Sequence, residues 1–224
     1  GTTTGRGSPT LVTTALLFTS IGAGGEPGSG HTCGLTAAGT AHCWGRKVAG
    51  QLGDNSTTDR NVPVAVQGGL TFTSLSAGNA FTCGLSAQKA YCWGESDRIG
   101  EGTANDRSVP TAVAGNPTFK SLVASWWSAC GITLADAAQC WGYVSSSTVT
   151  TLPTLVPTLT FGSMAPGNMF TCGTNMAGAG YCWGVNGSGQ LGDGTIASRA
   201  APVLVGGSIV FAKIVAGHSH ACGL

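Results

Sequence analysis

Cys-Trp-Gly occurs four times in this chain, at Cys43-Trp44-Gly45, Cys92-Trp93-Gly94, Cys140-Trp141-Gly142 and Cys182-Trp183-Gly184. Each copy follows another cysteine that is itself followed by glycine: Cys33, Cys83, Cys130 and Cys172. A fifth such cysteine, Cys222, has no Cys-Trp-Gly after it. The first cysteines recur at intervals of 42 to 50 residues. A period of that size, built from short strand-like runs, specifies a repeat array rather than one irregular domain.

The second unit shows the pattern. Residues 62–66, 72–76, 81–85 and 90–94 read as four short strands separated by Gly-rich or tight turns. Four strands in one period fit a blade of a β-propeller. The expected fold is therefore all-β, a propeller of four-stranded blades with about five consecutive blades present. The units fall at about 8–45, 62–94, 109–142, 152–184 and an incomplete 201–224, within a single repeat domain over 1–224. An immunoglobulin-like sandwich would need widely separated cysteines with one Trp between them, and here the Trp recurs.

The hairpin accounts for the cysteines. If Cys83 faces Cys92, Leu85 faces Ala90 and Ala87-Gln88 are left to turn. The other units carry one more residue, and Gly39 can supply the left-handed position of a three-residue loop. Facing residues in a non-hydrogen-bonded antiparallel pair lie close enough for an S–S bond. The expected disulfides are Cys33–Cys43, Cys83–Cys92, Cys130–Cys140 and Cys172–Cys182, with Cys222 unpaired and its partner expected beyond Leu224. Each such loop closure is worth about 2.5–3 kcal/mol in the chain-entropy model. Buried reduced thiols, which pack as small hydrophobes, are the alternative. Disulfides would imply an oxidising compartment.

Trp follows the second cysteine directly, so it points to the opposite side of the sheet. Trp44, Trp93, Trp141 and Trp183 thus make an indole side, and the cysteines a sulfur side. Both sides are apolar and both need cover. A radial stack of blades supplies it.

Charge excludes several partners. Only 8% of residues are charged and the net charge is +1, so no broad field attracts nucleic acid or an anionic membrane. The densest basic patch is Arg46-Lys47. No stretch reads as a membrane span; the uncharged region 137–192 is broken by Pro153, Pro157 and Pro166.

Residues 183–194, then Pro202-Val203 and Ala216-Gly217-His218-Ser219-His220, together resemble the repeat of the regulator of chromosome condensation. Gly50-Gln51-Leu52-Gly53-Asp54 repeats the first part and Arg98-Ile99-Gly100-Glu101-Gly102 is a drifted copy. The fourth unit lacks it. The resemblance implies a propeller, usually of seven blades, so the chain is expected to be a fragment or an open arc. The added Cys-Cys-Trp hairpin is similar to secreted bacterial members of that family. An open arc is expected to expose blade faces and to self-associate through them.

Three acid–base pairs sit six residues apart at equivalent places: Asp54 and Arg60, Glu101 and Arg107, Asp193 and Arg199. Arg6 holds the same place in the first unit and Thr150 interrupts the series. Their joint variation points to clamps that pin an inter-blade loop. His31, Cys33, His42 and Cys43, or His218, His220 and Cys222, lack the close Cys-x-x-Cys knuckle of zinc sites, so no metal and no cofactor is expected. No Gly-x-Ser-x-Gly elbow is present, and no catalytic residue is assigned. The glycine-rich run 22–30 opens no helix pattern and is no phosphate cradle. Asn55-Ser56-Thr57 and Asn186-Gly187-Ser188 match a glycosylation sequon.

One loop changes in every unit. It is residues 25–31 in the first, then Asn79-Ala80, Trp126-Trp127, Asn168-Met169 and His218-Ser219. Equivalent propeller loops gather on one rim, and variation on a constant frame is how such folds choose partners. Asn79, Trp126, Trp127, Asn168, Met169 and His218 are the candidate binding residues. The expected function is a non-enzymatic extracellular or cell-surface scaffold for a protein or glycan, with no nucleic-acid partner and no membrane insertion. A cytoplasmic guanine-nucleotide exchange factor-like regulator of a small GTPase is the alternative, and a hydrolase or lyase in the central channel a third reading.

Overall fold

The computed structural model describes residues 4–5, 7–12, 14–26, 30–144, 148–207 and 209–224, with Thr158 described by its backbone. Arg6 lies outside the described residues. The first sheet is β1 (Phe18–Gly24), β2 (His31–Thr36), β3 (Ala41–Gly45) and β4 (Arg60–Ala65), antiparallel in that order. The second is β5 (Ser74–Ala77), β6 (Phe81–Ser86), β7 (Lys89–Gly94) and β8 (Arg107–Ala112). The third and fourth share an 18-residue strand, β12 (Val149–Pro166). Its first part closes β9 (Phe119–Ala124), β10 (Ser128–Thr133) and β11 (Ala137–Tyr143). Its second part, from Phe161, opens β13 (Phe170–Asn175), β14 (Gly180–Gly184) and β15 (Arg199–Leu204). β16 (Ile214–Ala216) and β17 (Ala221–Gly223) begin a fifth sheet. The fold is an all-β propeller arc whose ring is not closed. Among the described residues, no helix is long and apolar enough to cross a membrane.

β12 runs on because its link has lost its turn. Elsewhere the chain bends between sheets at Gly68-Gly69, with φ of 97° and 63°, at Gly115 with φ 73°, and at Gly207 with φ 90°. Pro157, Thr158 and Leu159 stand at that place between the third and fourth sheets. Without a residue that takes positive φ readily, the backbone stays extended.

The sheets regroup the strands expected from the repeat units. The Val-Pro strand closes the sheet before it instead of opening the next. Gly45 faces Arg60, Gly94 faces Arg107 and Gly184 faces Arg199. The sheets therefore run 18–65, 74–112, 119–160, 161–204 and 214–223. A loop clamped by an ion pair folds each of these strands back on the Cys-Trp-Gly strand. Pro63, Pro110 and Pro202 then sit on outermost strands, where a missing N–H is tolerated.

All four cysteine hairpins have the register that places first cysteine opposite second. Disulfides join Cys33–Cys43, Cys83–Cys92, Cys130–Cys140 and Cys172–Cys182, each with Cα atoms 4.1 Å apart. Cys222 is free and exposed. The sulfur side of each sheet packs on the indole side of the next. Cys33, Leu35 and Cys43 share a core with Phe72 and Trp93. Cys83 and Cys92 share one with Phe119 and Trp141, and Cys130 and Cys140 one with Phe161 and Trp183. Trp93, Trp141 and Trp183 are buried. Trp44 departs from the expectation of burial and is half-buried, because the described residues place no sheet ahead of the first.

The repeated phenylalanine is a feature that the Cys/Trp pattern alone does not bring out. Phe18, Phe72, Phe119 and Phe161 lie 5.7, 5.7, 6.0 and 5.8 Å from Trp44, Trp93, Trp141 and Trp183, centroid to centroid. The same rings explain the glycine after each first cysteine. A Cβ on Gly34, Gly84, Gly131 or Gly173 would lie 2.5–2.9 Å from its unit's phenylalanine ring.

In the two-residue turn of the second hairpin, Ala87 and Gln88 both take positive φ, 47° and 64°. That is the backbone of a type I′ turn, which prefers Asn-Gly. Replacing the pair by Ala87→Asn and Gln88→Gly should stabilise the protein by about 1–2 kcal/mol, read as a higher denaturant midpoint at unchanged slope.

Candidate functional site

Antiparallel order decides which loops meet. The turns between first and second strands, and those between third and fourth, leave the same end of every sheet. The variable loops and the long clamped loops therefore share one face, and the cysteine hairpin turns occupy the opposite one.

The long loops at 46–59, 95–106 and 185–198 share one skeleton. Asp54, Glu101 and Asp193 each accept a 2.8 Å hydrogen bond from Nε of Arg60, Arg107 and Arg199. A hydroxyl two residues after each acid donates to it: Ser56, Thr103 and Thr195. The Thr195 hydroxyl and the Arg199 guanidinium hold the Asp193 carboxyl down at about 2. The loop entrance is tied by backbone N–H donors of Lys47, Ser96 and Asn186 to Asp59, Asp106 and Ser198. The Lys47 ammonium, fully buried, fills the first loop by bonding Asp54 and Ser56. In the last loop the Asn186 amide does this work, reaching Asp193, Thr195 and Ala197 at 3.0–3.2 Å. Thr150 occupies the arginine slot of the third sheet, opposite Gly142. These loops also seal the seams: Leu52 and Ile99 are fully buried in the cores of Trp93 and Trp141. Asn186 is itself fully buried, so its sequon is closed to modification, whereas Asn55 is exposed.

The variable loops converge. The Asn79 N–H donates to the Trp126 carbonyl at 3.2 Å, and the Asn79 amide reaches Glu26 at 3.5 Å. Trp126 meets His218 edge-on, ring centroids 5.0 Å apart. The Asn168 amide donates to His218 Nε2 at 2.8 Å. The loop of the first sheet thus meets that of the second, the second meets the third, and the third and fourth both meet the fifth at His218. Ala23, Gly24, Ala77, Gly78, Ala124 and Ser125 floor a cleft of ≈330 Å³ beside Asn79 and Trp126. Its floor is tight because a Cβ on Gly24 would overlap the Gly78 carbonyl.

Trp127 turns the other way. The Arg98 guanidinium lies 3.8 Å above its ring and Tyr143 packs edge-on at 5.6 Å. Arg98 is almost fully buried, pairs with Glu95, and stands where the other loops carry Gln51 and Gln190. Trp127, half-buried like Trp126, thus packs on Arg98 and Tyr143. Met169, half-buried with φ 57°, contributes its carbonyl to the Val185 N–H. The signal for Arg98 was its replacement of a repeated glutamine.

His31 sits in the first seam. The Thr82 hydroxyl donates to the Gln51 carbonyl at 2.9 Å, so it accepts from His31 Nε2–H at 2.8 Å. The other ring nitrogen, Nδ1, is then a buried acceptor without a partner. Burial lowers this pKa to about 4. Cys33 and Cys43 beside it are bonded to each other and offer no thiolate. At His218, Nε2 accepts from Asn168, so Nδ1 carries the proton toward the Ser219 hydroxyl, 2.7 Å away.

The geometry defines an arc of disulfide-pinned propeller blades with one loop-bearing face. Residues 38–85 and 177–224 match the regulator of chromosome condensation (RCC1) repeat, and the fold is that of a β-propeller built from such repeats. Human WBSCR16 superposes with a TM-score of 0.82 at 17% identity, covering 96% of this chain and 59% of that one. Prp20p from Saccharomyces cerevisiae gives 0.77 at 17% identity, with 94% and 56% covered. The ectodomain of the Physcomitrella patens receptor kinase CR4 gives 0.61 at 24% identity, with 92% and 50% covered. The chain spans between half and three fifths of those structures, and at these identities the likeness is one of fold.

Two outcomes test the seams. The unfolded histidine takes up its proton near 6.5, whereas folded His31 resists until about 4. Stability should thus be lost as pH falls from 6.5 toward 4, by up to about 3 kcal/mol. His31→Phe, which copies Phe81 and Phe170 in the equivalent slot, should flatten that part of a melting-temperature profile. Lys47→Asn, which copies Asn186, should leave stability within about 1 kcal/mol, whereas Asp54→Ala strands the buried ammonium and should cost about 3 kcal/mol or more in urea unfolding.

Proposed function

We propose that this protein is a non-enzymatic extracellular or cell-surface scaffold that binds a protein or glycan partner through its loop-bearing face. The observation that carries this reading is the convergence of Asn79, Trp126, Asn168 and His218 from successive sheets. A constant frame with differing loops at equivalent places is suited to selective binding. The carboxylates of Asp54, Glu101 and Asp193 and the guanidinium groups of Arg60, Arg107 and Arg199 are committed to one another. The rim presents indole, amide, imidazole and hydroxyl groups beside the Glu26 carboxylate, which suit a hydrogen-bonding partner. Four buried disulfides support a non-reducing compartment. A receptor-kinase ectodomain has a similar fold.

RCC1 repeats also support a second reading, regulation of a small GTPase. The structure of Prp20p was reported with its binding to Gsp1p and histones. That reading calls for a reducing cytoplasm or nucleus, where the four disulfides would not persist. Thiol titration of the natively purified, denatured protein separates the two: one reactive thiol supports the secreted scaffold, and nine would remove its basis.

Trp126→Ala should weaken binding to glycan-array or cell-surface-protein ligands about thirtyfold, a loss of about 2 kcal/mol, without changing the melting temperature. Trp127→Ala should instead lower the melting temperature. If every ligand survives Trp126→Ala unaltered, the rim is not the binding face.

A further inference from the structure

We propose that the seam between the third and fourth sheets is a binding site for a small molecule that joins a branched aliphatic group to one acyl oxygen. The other seams show what this place holds elsewhere. Leu52-Gly53, Ile99-Gly100 and Leu191-Gly192 bring fully buried aliphatic side chains into the core of their seams. The glycines fit closely: a Cβ on Gly53 would stand 2.7 Å from Trp93 Nε1 and 3.0 Å from Val66, and one on Gly100 2.8 Å from Trp141 Nε1. The carbonyls of Gly53, Gly100 and Gly192 accept hydrogen bonds from the N–H groups of Gln67, Ala114 and Gly206.

The link after the third Cys-Trp-Gly is short. Residues 143–149 hold three serines and no Leu-Gly or Ile-Gly pair. Trp183 and Val156 are the counterparts of Trp93 and Val66 by register. Here they wall a cleft of ≈240 Å³ together with Cys140, Val144, Leu155 and Pro202. Both walls belong to sheets that have neighbours on either side, so the cleft lies within the arc.

Two hydroxyls at this seam are buried with no partner among the described residues. One is that of Thr150, which lines the cleft. The other is that of Thr171, a fully buried residue opposite Trp183. Its counterpart Thr82, opposite Trp93, donates at 2.9 Å to the Gln51 carbonyl, the acyl oxygen of the peptide bond that leads into Leu52. A buried hydroxyl is destabilising until it finds an acceptor. The seam therefore offers an aliphatic slot with an unused donor beside it, the pairing that Gln51 and Leu52 exploit in the first seam.

Pro157 argues against a peptide as the occupant. It stands where Gln67, Ala114 and Gly206 donate to the loop glycine, and proline has no N–H. A carbonyl on the far side of the aliphatic group would lose that donor. The site thus suits a free molecule that ends at its branched group.

N-isopentylacetamide is the probe, because it copies the Gln51 acyl group and the Leu52 side chain without the carbonyl that follows. Titrated into the intact chain and followed by NMR, it should bind about tenfold or more tightly than N-methylacetamide, which lacks the branched group. It should bind no less tightly than N-acetylleucinamide, whose extra carbonyl Pro157 cannot serve. Ala200→Leu, which fills the cleft from an exposed lining position, should abolish saturable binding. Thr171→Val should weaken binding about fivefold, yet leave the melting temperature of the free protein equal or higher, since the unpaired hydroxyl is gone. Absence of saturable binding, an affinity indifferent to Ala200→Leu or to Thr171→Val, or a clear preference for N-acetylleucinamide would overturn the proposal.

Discussion

A phenylalanine–tryptophan pair laid on the cystine of the neighbouring sheet is the contact on which this molecule depends. No single sheet has two layers of its own to enclose a core. Each finds its cover on the sheets beside it, as in other repeat proteins whose stability comes from nearest-neighbour interfaces. Buried indoles are the largest apolar side chains available, and truncating one costs about 3–5 kcal/mol. The two ends of the arc show the rule by exception: Trp44 is half-buried and Cys222 is exposed.

Charge serves the frame. With few ionisable residues in the chain, most of those on the loop-bearing face close a loop. Lys47 and Asn186 fill equivalent loop interiors with different chemistry, because the requirement is for donors aimed at a carboxylate, which an ammonium or an amide can meet. The rim is thereby freed to vary without loss of the fold. Trp126 and Trp127 show how finely this divides, since adjacent side chains on one turn serve the rim and the seam respectively.

Much of the frame was legible in local sequence. A hairpin is a short-range object, so the distance between cysteines sets its register and turn length. Gly39, with φ 77°, sits where a three-residue loop needs a left-handed residue. The acid and arginine six residues apart could be paired because they change together between units. The candidate rim residues were harder to rank. Nothing local distinguishes Trp126 from Trp127; Arg98, from the loop before it, makes the difference. The buried role of His31 likewise depends on Thr82, half a hundred residues away and in another sheet.

The sequence by itself determined the repeat, the cysteine hairpins and the opposed sulfur and indole sides, because these follow from spacing and from the alternation of side chains along a strand. Tertiary structure decided which sheet receives each Val-Pro strand, which aromatic side chains are sealed in seams, and which stand on the rim. Those outcomes are set by pairing and packing between units, and a strand's own residues are compatible with either neighbour until the clamped loop turns the chain back.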